Sequence, residues 1–207
     1  MPSIYDVKPA FQNRLRPLSE HMVRAGFTAN QVTLVALVMS ILLGLLMAVA
    51  APSRPVLLLL PIWLFARMAL NAIDGMLARE HRMKSNLGAL LNELGDVIAD
   101  AALYLPLALW LTPVSRAAMV IVVVLGIVSE LAGIAAVQIG ATRRYDGPMG
   151  KSDRAFWLGA LALLLMFGLP PGRLTALILL IMIVMLARTI YNRASRALAE
   201  APPVAGD

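Results

Sequence analysis

Apolar residues along this chain gather into six runs separated by short breaks of proline, glycine and charge: residues 30–51, 55–77, 87–111, 117–140, 155–169 and 174–191. A helix needs about 20 apolar residues to cross roughly 30 Å of hydrocarbon, so each run is predicted to be a transmembrane helix, the fifth being the shortest. Ahead of them Ile4, Val7, Phe11, Leu15, Leu18 and Met22 recur at three- and four-residue spacing with basic residues between. That pattern predicts an amphipathic helix over 4–25 lying in the membrane interface. The expected fold is all-α: a polytopic membrane protein of six transmembrane helices behind an N-terminal interfacial helix. The domain plan is an amphipathic juxtamembrane segment 1–28, a membrane domain 29–194 and a polar tail 195–207, disordered from 201.

Composition supports this plan and excludes others. Hydrophobic residues make up 60% of the 207, with a mean hydropathy of +0.79, where soluble domains run near ~45–50% apolar. The net charge of +6 sits between the apolar runs, where it meets anionic headgroups and sets orientation, so no nucleic-acid partner is expected. With the N-terminus inside, the inner segments carry fourteen of the 18 Lys and Arg, and the outer loops carry Arg54, Arg116 and Arg173. Both termini are therefore expected in the cytoplasm, in a bacterial inner membrane. The chain has no cysteine, which excludes disulfides and thiolate chemistry. The first 28 residues mix acidic and basic side chains, so no cleavable signal peptide is expected. Gly126, Gly133 and Gly140 recur every seven residues, a small-residue face for close packing within the chain or across an expected homodimer.

Ionisable residues in membrane spans are costly, and each is a functional candidate. Asp74, Glu80, Glu93, Asp96 and Asp100 cluster around one hairpin. Asn71, Asp74, Gly75 and Ala78 share a face of the second span, and Asn92, Asp96 and Asp100 follow at four-residue steps in the third. Oxygen ligands converging without His or Cys suit a hard cation, Mg²⁺ or Mn²⁺, bound through a few carboxylates together with substrate phosphates. Gly75 and Gly88 leave room for a nucleotide diphosphate to approach the backbone. The plainer alternative is that these acids only neutralise Arg67, Arg79 and Arg82.

The spacing resembles the CDP-alcohol phosphatidyltransferase pattern D-x2-D-G-x2-A-R-x8-G-x3-D-x3-D. Asp74, Gly75, Ala78, Arg79, Gly88 and Asp96 are identical to it, while Asn71 and Asn92 replace its first and third aspartates. Thr28, Asn30 and Thr33 resemble the family's T-P-N-x-x-T segment, with Ala29 in place of proline. Gly150 and Lys151 resemble its Gly-Lys element, and Glu130 sits where the fourth span often carries a glutamate.

The resemblance implies transfer of a phosphatidyl group from a CDP-linked lipid, usually CDP-diacylglycerol, to an alcohol, with release of CMP. Asn71, Asp74, Asn92 and Asp96 would hold metal, and Asp96 would be the catalytic base. Asn30, Thr33, Asp74, Gly75, Ala78, Arg79 and Gly88 would bind the nucleotide. The two asparagines leave −2 where four aspartates would offer −4, so a second metal is expected to bind weakly or only with the diphosphate. Glu93 and Asp100 are candidates to return the missing charge. Arg143, Arg144, Lys151 and Arg154 could bind an acceptor phosphate or simply anchor to anionic lipid. An alternative function is a catalytically weak subunit that binds nucleotide-lipid. A small transporter is disfavoured, since no repeat or paired broken helices are found.

Overall fold

The computed structural model describes residues 4–202, with side chains from Ala10 onward. Ile4, Val7 and Lys8, as side chains, and residues 203–207 of the expected tail lie outside the described residues. Among those described are seven α-helices: α1 (Ile4–Arg24), α2 (Ala29–Ala50), α3 (Leu59–Glu80), α4 (Asn86–Tyr104), α5 (Pro113–Ala135), α6 (Lys151–Met166) and α7 (Arg173–Glu200). Short 3-10 segments, Arg54–Leu58, Leu105–Trp110 and Ala136–Ile139, precede α3, follow α4 and follow α5.

Four stretches are long and apolar enough to cross a membrane: Ala29–Ala50, Arg54–Glu80, Pro113–Ile139 and Arg173–Glu200. Two of the six expected spans fall short of that measure. Helix α4 carries Glu93, Asp96 and Asp100 within 19 residues, and α6 has only 16 residues. The outward faces of the long helices are apolar, with Leu45, Val49, Phe65 and Val184 more than half exposed. Soluble surfaces rarely show apolar patches on that scale.

The chain forms two compact units. The first comprises residues up to Leu43 together with Ile62–Asp100. Here α1 ends at Gly26, whose φ of +81° favours a residue without Cβ. Helix α2 then opens with a reciprocal capping box: Gln31 N–H donates to Thr28 Oγ1 at 3.3 Å, and Thr28 N–H donates to Gln31 Oε1 at 2.9 Å. Leu15, Met22 and Val23 of α1 pack on a core of Ala29, Val32, Ile73 and Leu77. Phe11 meets Phe65 edge to face at 6.3 Å, and Arg16 pairs with Glu80 at 3.1 Å. The expected amphipathic segment is thus a helix that packs through Phe11, Leu15 and Met22 on α2 and α3, with Leu18 exposed.

The second unit comprises Gly44–Pro61 and the chain from Ala101 onward. Its core includes Met119, Val122, Leu158, Leu161, Leu179, Met182 and Leu186, all essentially buried. Helix α5 starts at Pro113, where a missing N–H costs nothing, and Thr112 caps it by accepting from Ser115 N–H. The heptad glycines are covered within the chain: a Cβ at Gly126 would stand 3.3 Å from the Arg154 side chain, and one at Gly133 would stand 2.5 Å from Arg144 O. Helix α7 continues to Glu200, beyond the expected boundary at 194, because Arg193 and Ala197 point inward and are buried.

Candidate functional site

Within the first unit a cavity of about 660 Å³ opens between α2, α3, α4 and the connection 81–85. Its wall includes Asn30 and Thr33 from α2, Asn71, Asp74, Gly75, Ala78 and Arg79 from α3, and Gly88, Asn92 and Glu93 from α4. Every residue expected to bind the nucleotide therefore lines one space. The connection adds Met83, Lys84 and Ser85, which sequence reasoning missed because nothing in their spacing marks them.

Local geometry explains the convergence. The capping box fixes the start of α2, so Asn30 and Thr33 present one face one turn apart. Thr33 Oγ1 donates to Asp74 Oδ2 at 2.9 Å, tying α2 to α3. Asn30 Nδ2 donates to Ser85 Oγ at 3.3 Å, and Ser85 Oγ accepts from Gly88 N–H at 2.9 Å, capping α4. A Cβ at position 88 would come within 2.5 Å of Asn30 Oδ1 and 3.0 Å of Ser85 Oγ, so a side chain there would displace the Asn30 amide.

Asp96 lies one turn beyond Asn92 and does not line the cavity. Its Oδ1 accepts from Arg67 Nη2 at 3.0 Å and from Asn71 Nδ2 at 3.4 Å. Arg67 is buried, and its Nη1 also donates to the buried carboxylate of Asp100. Of the two acids considered as auxiliary ligands, Glu93 faces the cavity, whereas Asp100 is paired with Arg67 away from it. Pairing with Arg67, the plainer role open to these acids from the sequence, is observed for Asp96 and Asp100.

Among the described residues no three carboxylate, imidazole or thiol groups come together as a metal site. Asp74 and Glu93, with the amide oxygens of Asn71 and Asn92, nonetheless form an oxygen-only donor set on the cavity wall. Such a set suits a hard cation that completes its coordination with phosphate oxygens.

In the second unit Glu130 collects three guanidiniums: Arg154 at 3.0 Å, Arg193 at 3.3 Å and Arg143 at 3.7 Å. Arg143 and Arg154 were expected near an acceptor; Arg193 was read only as an inner-side charge. Arg144 is instead held by Asp146 at 2.8 Å and Glu200 at 2.6 Å. Burial pushes the Asp146 carboxyl up, but hydrogen bonds from Arg144 and Arg196 outweigh it and hold it below its ordinary value. Lys151 occupies the first turn of α6.

Several known proteins are similar to this chain. The inner membrane protein YnbA of Escherichia coli (strain K12) is 51% identical over 159 residues, covering 76% of this chain and 77% of that protein. Mycobacterium tuberculosis phosphatidylinositol phosphate synthase (PgsA1) has the same fold. Its crystal structure with CDP-DAG bound matches with a TM-score of 0.76 at 22% identity, over 92% of this chain and 96% of that one. Its complex with manganese and citrate matches with a TM-score of 0.74 at 20% identity, over 92% and 91%. The sequence profile described as CDP-alcohol phosphatidyltransferase matches residues 27–201, a stretch that contains the whole cavity wall and its motif, and the chain therefore belongs to the CDP-alcohol phosphatidyltransferase family.

Proposed function

We propose that this protein transfers a phosphatidyl group from CDP-diacylglycerol, or a similar CDP-linked lipid, to an alcohol and releases CMP, with Mg²⁺ or Mn²⁺ required. The observation that carries this reading is the single cavity lined by all seven residues expected to hold the nucleotide. Gly75 leaves room beside α3 for the Arg79 guanidinium, which a Cβ would meet at 3.0 Å, and Arg79 would offer that guanidinium to the diphosphate. Asp74, with Asn71, Asn92 and Glu93, would hold the cation, which would offset the diphosphate charge and the charge developing on the leaving CMP. Asp96 would take the proton of the acceptor hydroxyl as its oxygen bonds to the phosphatidyl phosphorus and the bond to CMP breaks. Arg67 keeps that carboxylate oriented.

An anionic group on the acceptor is assigned to Arg143, Arg154 and Lys151. Arg143 and Arg154 meet on Glu130, whereas Arg144 is engaged by Asp146 and Glu200. The experiment is CMP release from CDP-diacylglycerol by the detergent-purified protein, offered a panel of alcohols and followed by mass spectrometry with and without chelator. Release that chelation stops is expected. No release with any alcohol would leave the nucleotide-lipid binder as the reading.

The same proposal places six crossings in a bacterial inner membrane, α4 with its 3-10 extension and α6 completing the four long stretches. The positive-inside bias supports a cytoplasmic site and cytoplasmic termini. Cysteines replacing the exposed Lys84 and Val114 should react with impermeant reagents from opposite sides; reaction of both from outside would defeat the orientation.

A further inference from the structure

Arg67 gives a physical account of the asparagine at position 71, where the family pattern has aspartate. The guanidinium of Arg67 is buried, cannot lose its proton, and bridges Asp96 to Asp100. It also donates to the backbone oxygen of Asp96 at 3.1 Å, which fixes its plane against α4. From the other side Asn71 gives Asp96 Oδ1 an amide proton. A carboxylate at 71 could not donate that bond, and would instead set two negative oxygens side by side, an arrangement that asks for a cation between them. The amide removes that demand, and Arg67 supplies a permanent positive charge on the same carboxylate.

We propose that Arg67 serves as the built-in counter-cation of Asp96, so that the site takes one divalent cation per bound nucleotide, held on the Asp74 side, and not two. The proposal rests on the CDP-lipid reading above and deepens it. Arg67 is a positioning residue: it acts on the reaction through Asp96. A second divalent ion at Asp96 would be repelled by the Arg67 guanidinium, while Asp74 would hold a cation that the diphosphate helps to bind.

The test counts Mn²⁺ and radiolabelled CDP bound by the full detergent-purified chain in equilibrium dialysis. The wild type should bind one Mn²⁺ per CDP, and so should Asn71→Asp alone, because Arg67 remains in place. Asn71→Asp combined with Arg67→Gln and Asp100→Asn, which removes opposite buried charges together, should bind two. Two ions in the wild type or in Asn71→Asp alone, or one ion in the folded triple variant, would overturn the proposal. Should the triple variant not fold, the first two proteins still decide. The CMP assay separates the readings: two ions with CMP release sinks this inference alone, whereas one ion without CMP release sinks the transfer reading alone. Absence of bound Mn²⁺ at saturating CDP overturns both this inference and the metal requirement.

Discussion

Asp74→Asn is expected to cut CMP release on the order of 10²–10³-fold, the scale of losing one preorganised electrostatic contact to the reacting group. The substitution keeps the size of the side chain and an oxygen for the Thr33 hydroxyl to donate to, so the tie between α2 and α3 survives. It removes a negative charge from a residue only 7% exposed while leaving its volume and its place in the helix packing unchanged. The melting temperature in detergent should hold while turnover falls. Asp96→Asn should match the loss of turnover, but with Arg67 left bonded to a neutral amide its melting temperature should drop as well. Retained CMP release in both variants would end the assignment of the motif as the reaction centre.

Glu130→Gln is expected to destabilise the protein by about 3–5 kcal/mol, the range for breaking a buried ion pair. Glu130 is shared by three guanidiniums, and the side chains of Arg154 and Arg193 are 4% and 2% exposed. A neutral amide leaves those cations to repel one another inside the protein. For a chain of this length the loss corresponds to a fall in melting temperature on the order of 10 °C. Adding Arg193→Met should recover part of it, because the excess charge is reduced together with its acid, and the double-mutant cycle measures that coupling. An unchanged melting temperature in the single variant would mean that the cluster contributes nothing to stability.

The four long apolar stretches were legible because a helix that crosses a bilayer needs about 20 apolar residues, and the observed helices begin and end close to the proline, glycine and charge breaks. Finer features obeyed local chemistry that periodicity does not report. The run 87–111 contains a change from α4 to a 3-10 segment at Leu105, with Pro106 at its start, since proline removes an N–H from the helical ladder. The end of α7 looked polar because its charges are read one by one; folded, Arg193 turns inward onto Ser129 O and Glu130.

At the site, the spacing of the Asp and Gly positions anticipated that the residues expected to hold the nucleotide share one cavity wall, because i, i+3, i+4 and i+7 share a helix face. The contacts of Arg67 with Asp96 and Asp100, of Asn30 with Ser85, and of Arg154 and Arg193 with Glu130 join residues about 24 to 63 positions apart. Nothing in a single sequence reports such contacts.

The connection 81–85 is five residues long, includes Arg82 at a φ of +57°, and itself forms part of the cavity wall. Each residue of an α-helix advances it about 1.5 Å and turns it about 100°, so a register slip of α4 by one residue would carry Asn92 off the cavity and break the Ser85 cap. A connection that is also wall has no slack to absorb an inserted residue. Drift in this hairpin is therefore channelled into changes of side-chain identity at constant length, and the exchange of aspartate for asparagine at 71 and 92 without any gap between them is the kind of variation such a hinge permits.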